Sequence, residues 1–336
     1  MAGAYSETLR VAIFHTELSR DGPGLMLRDI LKRESQVQAV QDVVAKVQPD
    51  ILLLADVDYD LNGVAISALA KAMGYPHWVA SRPNRGLPST RDLDGNGRIG
   101  GPRDAEGFAR FAGQGGLAVL SRLPIVADEM RDFTAFAWAD LPDALMPDSL
   151  PKGENPTRLS TTAHWDVPLR RPSGHTLHVL AWHATAPVFD GPEDRNGRRN
   201  HDEAAFWLHY LKGALSYAPP SDFVLLGVAN ADPHDGESRP HALNRLRAFA
   251  HDPKPASDGG AAAADQNHKG PPELDTVDWE DGPNRPGNLR VDYVLPAKHL
   301  IVTDSGVFWP HPSDPMAETA AIASRHKLVW VDIEFP

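Results

Sequence analysis

Short apolar runs alternating with helix-period segments along the whole sequence predict layered α and β structure. Two further observations support this. The runs are rich in Val, Ile and Leu and too short for most helices, and several end on a polar side chain, as strands do where they leave a sheet.

In chain order the strand-like runs are residues 10–14, 51–54, 117–120, 177–182, 223–226, 291–295, 301–302 and 328–333. Between them, Val37, Val40, Val44 and Val47 share one helical face after Ser35, a suitable N-cap, and Pro49 follows the end. Residues 64–73 repeat the pattern and stop at Gly74, with Asn62 placed to cap that helix. Phe206, Tyr210 and Leu211 mark a helix starting near Asn200, and Leu243, Leu246 and Phe249 mark a fourth. Gly22-Pro23-Gly24 reads as a turn leading toward a helix, whose N–H groups with Arg20 or Arg28 could bind an anion. Two stretches, about 81–115 and 252–288, are rich in Gly, Asp, Pro or Ala and read as loop insertions. Strand-like runs flank both, so residues 1–336 are expected to form a single domain; a break near residue 255 is the alternative.

With 42% hydrophobic residues, eight Trp and eleven Phe, the chain can bury a sizeable core. It has no cysteine, which excludes disulfides, thiolate metal sites and a Cys nucleophile. No apolar run is long enough to span a membrane. Met1–Thr8 is short and polar and does not read as a signal peptide, so the chain is expected to be cytoplasmic or an exported protein whose leader has been removed. A monomer is the expectation. The net charge of −12 argues against nonspecific grip on duplex DNA and shifts the expected partner toward a phosphorylated small molecule, although nucleic acid remains open through a local basic patch.

Chemistry gathers at the strand ends. The first strand closes on Phe14-His15-Thr16-Glu17, and the next on Asp56. Gly116-Leu-Ala-Val-Leu-Ser-Arg-Leu-Pro-Ile125 is a strand followed by a turn. Leu180-Ala-Trp-His183 ends in His, Gly227-Val228-Ala229-Asn230 in an amide, Arg290-Val-Asp292-Tyr-Val-Leu carries a carboxylate, and Ser324-Arg325-His326 precedes the last strand. One such piece is ordinary, but their sequential order is hard to reach by accident.

That order resembles the endonuclease/exonuclease/phosphatase superfamily over residues 9–335, most sharply at Gly116–Ile125, Arg290–Leu295 and Leu225–Asn230. The resemblance implies a four-layer α/β sandwich, two mixed β-sheets face to face with helices outside, and divalent-metal-dependent phosphoester hydrolysis. It places His183 on the scissile phosphate, makes His326 the final histidine with Asp292 orienting it, and puts Asn230 beside them as a catalytic, phosphate-binding amide. It implies metal ligands at Asp56, where the family has Glu, and His15, where it has Asn. Asp56 still offers a hard oxygen for Mg²⁺, whereas His15 suits Mn²⁺ or Zn²⁺ better. Two departures are sharper. Val228 stands where the family has an Asp that positions or deprotonates water, and an apolar group cannot take that role. Arg325 replaces another Asp, which weakens cation binding and could instead clamp a phosphate oxygen. Asp232 and Glu17 are the carboxylates nearest in sequence to substitute for the one lost at Val228.

Away from these strands, Asp92-Leu-Asp94-Gly-Asn96-Gly97-Arg98-Ile99 opens like a calcium loop, with side-chain oxygens at the first, third and fifth positions, Gly at the sixth and the Arg98 carbonyl next. Its twelfth position is Arg103, so Asp104 or Glu106 would have to close it; a solvated Asp/Gly turn is the alternative. Asp58-Tyr-Asp60-Leu-Asn62-Gly63 repeats the opening more weakly. Arg195, Arg198 and Arg199 could form a phosphate-facing patch or a solvated loop.

These readings predict a phosphodiesterase, nuclease or phosphatase of atypical or reduced activity, using Mg²⁺ or Mn²⁺ at the strand ends and Ca²⁺ at residues 92–104. The competing expectations are a degenerate fold member that binds phosphate ligands or partners without cleaving, and a hydrolase with a transition-metal site from His15, Asp56, His183 and His326.

Overall fold

A computed structural model describes residues 7–150, 153, 156–264, 266–282 and 285–336. The first half of the chain runs β1 (Thr8–His15), α1 (Leu25–Lys32), α2 (Ser35–Val47), β2 (Ile51–Val57), α3 (Val64–Ala72), β3 (His77–Val79), β4 (Gly116–Ser121) and β5 (Arg131–Asp132). The second runs β6 (His164–Arg170), β7 (Thr176–His183), α4 (Arg195–Leu211), β8 (Phe223–Val228), α5 (His241–Leu246), α6 (Asp258–Ala262), β9 (Asp292–Pro296), β10 (Ile301–Phe308), α7 (Ala317–Ala323) and β11 (Leu328–Glu334).

The strands form two mixed sheets, one of six in the order β10-β11-β1-β2-β4-β3 and one of five in the order β5-β6-β7-β8-β9. Alternation along β1 and β2 divides the core. Val11, Ile13, Ile51, Leu53 and Ala55 enter the cluster shared with the second sheet, whereas Ala12, Phe14, Leu52 and Leu54 face a second cluster under the helices. Met26 and Ile30 of α1, Val40 and Val44 of α2, Ile66 and Leu69 of α3 and Ala323 of α7 fill that outer cluster. Phe206, Trp207 and Tyr210 of α4 and Leu243 and Leu246 of α5 cover the five-stranded sheet. Contacts of β1, β2 and β11 with β8 or β9 join the sheets. The result is the four-layer α/β sandwich.

All eight strand-like runs are strands. Residues 164–170 went unseen because His-Trp-Asp-Val-Pro-Leu-Arg lacks an apolar run, yet β6 is buried along six of its seven positions. Its Asp166 carboxylate accepts from His178 Nδ1 at 2.6 Å and from the Tyr210 hydroxyl at 2.6 Å, which is how a charged side chain enters the core. The cap of α3 also differs from expectation. Gly63, in the left-handed region, precedes the helix, and Asp60 rather than Asn62 accepts the N–H groups of Val64 and Ala65 at 2.7 and 2.8 Å. Ser35 is the first residue of α2, with Glu34 at the cap position.

Strand direction builds the rim. β1 runs parallel to β2, and β7 parallel to β8, so His15 lies alongside Ala55 and His183 alongside Val228 at one end of the sandwich. β9 and β11 run antiparallel to β8 and β1, which brings their N-terminal ends, Asp292 and the His326–Leu328 entry, to the same end. No helix among the described residues is long and apolar enough to cross a membrane.

Candidate active site

Three imidazoles meet at this rim. The His15 and His326 rings stack at a 3.9 Å centroid distance, and His183 sets its ring edge-on to His15 at 5.2 Å. All three are buried. Nδ1–H of His326 donates to Asp292 Oδ2 at 2.8 Å, which leaves Nε2 as the nitrogen able to take or give a proton. The Thr276 hydroxyl accepts the N–H groups of Val291 and Asp292 at 3.0 Å each and so fixes the start of β9. Ser324 Oγ donates to the His15 carbonyl at 2.8 Å and accepts from His326 N–H, tying the last strand's entry to the first strand's exit. Trp279 meets His326 edge-on at 5.6 Å.

Burial and neighbouring positive charge set the protonation. Burial, then the His326 beside it, pushes His15 down to about 4 despite the opposing field of Asp56. Burial also carries His183 well below its ordinary value, aided by His15, Arg85 and His326. Both are neutral imidazoles at neutral pH. His15 Nδ1, His183 Nδ1 and Asp292 Oδ1 are buried without a hydrogen-bond partner in the protein.

The remaining expected residues divide. Asn230, in the left-handed region at φ 48°, gives Nδ2 to the Ala184 carbonyl at 2.8 Å, which leaves its side-chain oxygen as an acceptor at the rim. Asn200, which the sequence marked only as a helix start, clamps this corner by donating to the Thr185 and Ala229 carbonyls at 2.8 and 2.7 Å. Asp56 sits at a bulge in β2 with φ 57°, its Oδ2 accepting the Ser19 hydroxyl at 2.8 Å and its Oδ1 3.5 Å from the Arg85 guanidinium. Arg85 was missed because an Arg in a Gly- and Pro-rich loop reads as a solvated side chain.

Val228 is fully buried within the core. Neither carboxylate considered as its substitute is free. Asp232 accepts the N–H groups of His234, Asp235 and Arg290. Glu17 is bound by the backbone and guanidinium of Arg325; burial alone would raise its carboxyl, but these bonds hold it down at about 2. Arg325, expected to clamp phosphate, therefore already has an anionic partner. Arg20 and Arg28 both pair with Asp29 rather than framing an anion site beside Gly24. Arg195, Arg198 and Arg199 lie in the first turns of α4, not in a loop, and Arg199 is buried with its guanidinium over Trp138.

The acidic loop stands apart from the rim. Asp92, Asp94 and Asp104 bring carboxylate oxygens within 4.8 Å of one another. Backbone amides already serve this cluster: Asp92 accepts from Asn96 and Gly97, and Asp104 from Leu93 and Gly101. Asn96 Oδ1 accepts Arg98 N–H at 2.9 Å.

The Endonuclease/Exonuclease/phosphatase family model matches residues 21–326 of this chain. Among solved structures, an endonuclease/exonuclease/phosphatase from Beutenbergia cavernae is 18% identical, covering 98% of this chain and 72% of its own, with a TM-score of 0.56. Truncated TDP2 from Caenorhabditis elegans is 12% identical over 97% of each chain, with a TM-score of 0.51. Sphingomyelinase C from Streptomyces griseocarneus is 14% identical over 98% of this chain and 100% of its own, with a TM-score of 0.50. At these identities the structures speak for the fold. A search of curated proteins found no match.

Enzymes of the matched family are generally divalent-metal-dependent hydrolases. The rim's donors do not fit such an ion. Asp56 has one oxygen on Ser19 and the other facing Arg85, and Asp292 commits one oxygen to His326. Among the described residues, Asp92, Asp94 and Asp104 are the group bringing three metal-type ligands within 4.8 Å, so no trio of His15, Asp56, His183 and His326 does. The four-residue transition-metal cage expected from the sequence is therefore not assembled.

Proposed function

The chain belongs to the endonuclease/exonuclease/phosphatase family, and from that premise we propose that it hydrolyses a phosphoester at the rim formed by His15, His183, Asn230, Asp292 and His326. The buried His326–Asp292 pair carries this reading. Asp292 holds His326 in the Nδ1–H tautomer, so Nε2 exchanges a proton with the attacking water or the leaving oxygen. Neutral His183 and the Asn230 amide contact phosphate oxygens, and His15 backs His326 through ring stacking. The acidic balance of the chain favours a phosphorylated small molecule over nucleic acid.

One observation favours a second reading, a phosphate-binding module without turnover. Val228 lies in the core, and the carboxylates that could replace its lost function are engaged elsewhere.

Hydrolysis of p-nitrophenyl phosphate and bis(p-nitrophenyl) phosphate separates the two. The hydrolase reading expects turnover that His326→Ala lowers by about a hundredfold or more. Phosphate-dependent thermal stabilisation without turnover, together with hydrolysis appearing in Val228→Asp, would establish the binding module instead.

A further inference from the structure

The rim reaches a phosphate anion with two carboxylates, Asp56 and Asp292, and two imidazoles that burial keeps neutral. An anion entering there needs a cation within a few ångströms, because the low dielectric that strengthens attraction also strengthens repulsion from Asp56. Arg325 is spent on Glu17. The cation that faces the rim comes from the loop between β3 and β4.

That loop is pinned where it matters. Asn84, fully buried, donates Nδ2 to the Thr134 and Ser160 carbonyls at 2.6 Å each, and its Oδ1 accepts from Arg158 at 2.7 Å. Gly113 N–H donates to the Arg85 carbonyl at 3.1 Å, and Gly86 N–H to the Gly107 carbonyl at 2.8 Å. Arg85 is thus launched from a fixed backbone. Its Nη1 lies 3.5 Å from Asp56 Oδ1, its side chain is one quarter exposed, and its Nε is buried without a partner in the protein. Gly115, in the left-handed region, makes room for the pair: a Cβ there would lie 2.5 Å from Asp56 Oδ1 and 2.8 Å from Arg85 Cζ. The charge of Arg85 is also felt at His183, where it adds to the effect of burial.

We propose that Arg85 is the built-in cation of this rim: its guanidinium takes the place beside Asp56 that a divalent ion would occupy, so that phosphate binds without added metal. The inference rests on the reading of the rim as a phosphate site and deepens it by naming what neutralises the ligand. A guanidinium suits the task because its planar fork can face Asp56 with one edge and a phosphate oxygen with another, and it stays charged at any working pH.

Titration calorimetry of the full chain with inorganic phosphate, in EDTA and again with excess Mg²⁺, tests this for the wild type, Arg85→Gln and Arg85→Lys. Wild type is expected to bind in EDTA with an affinity that Mg²⁺ leaves essentially unchanged. Arg85→Gln is expected to bind about tenfold more weakly, to become Mg²⁺-responsive because Asp56 is released, and to be partly rescued by the Lys variant. Wild-type binding that appears only with Mg²⁺ would overturn the inference, as would a folded Arg85→Gln that binds like wild type. Thermal melts report folding of the variants; if Arg85→Gln fails to fold, the wild-type comparison between EDTA and Mg²⁺ decides alone. Absence of phosphate binding in both buffers is a different failure, since it removes the phosphate-site reading and the inference with it.

Discussion

The histidine rim and the Asp92–Asp104 loop invert the usual relation between metal ligands and catalytic groups in one chain. The rim has a buried acid–base pair and imidazoles with unpartnered nitrogens, yet its carboxylates are engaged by Ser19, Arg85 and His326. The loop has converging carboxylates, Asp92, Asp94 and Asp104, and no imidazole among them. The difference teaches that ligand chemistry and ligand geometry can part company. Hard oxygens gather where the chain turns tightly at glycines, whereas the strand ends gather groups that move protons.

The rim side of this contrast breaks most sharply at Asp292. Asp292→Asn keeps the shape but no longer enforces the His326 tautomer, so kcat is expected to fall by roughly a hundredfold or more while KM for p-nitrophenyl phosphate changes little. An unchanged kcat would make the pair structural.

Glu203 sharpens the contrast through pH. It lies buried on α4, accepting N–H groups of Thr161 and Thr185 at 3.0 and 2.5 Å. Burial pushes its carboxyl up from 4.5 to about 7 against those bonds. A carboxyl raised on folding stabilises the fold below its unfolded value, and that stability is lost as pH rises through the folded value. Relative to Glu203→Gln, the wild type should therefore lose on the order of 3 kcal/mol between about pH 4.5 and pH 7. Denaturant melts of both proteins across that window measure it. Taking the difference between them removes the opposite slope from His164, which burial lowers to about 4. A flat difference would show that water reaches Glu203.

The loop side carries the smallest effect. The expectation it tests is the one drawn from the sequence, Ca²⁺ at residues 92–104 held by Asp92, Asp94, Asn96, the Arg98 carbonyl and Asp104. Calcium at a hundred times its dissociation constant would then add about 2.7 kcal/mol of stability, read as a rise in Tm. EDTA should reverse it and Asp94→Asn should reduce it. No shift in the wild type at millimolar Ca²⁺ would leave the loop as an amide-satisfied Asp/Gly turn.

How far the sequence could be read follows from the range of the forces involved. Periodicity is local, so the eight apolar strands and the faces of α2, α3 and α4 could be read directly, and the ordered strand-end motifs carried the family resemblance that implied the sandwich and a site of His15, Asp56, His183, Asn230, Asp292 and His326. β6 was hidden because its polar residues are satisfied only by partners distant in sequence, Tyr210 among them. The Asp60 cap was misread by two positions because Asp60 and Asn62 are both capping types and only backbone geometry chooses between them.

The sequence by itself determined the layered fold, because apolar periodicity is local, and its family resemblance implied the His326–Asp292 pairing that the strand directions then bring together. The tertiary structure alone decided charge pairing: that Glu17 consumes Arg325, that Asp56 meets Arg85, and that Val228 belongs to the core. Ion pairs form across hundreds of residues or between a strand and a loop, and which cation reaches which carboxylate depends on distances that no local pattern encodes.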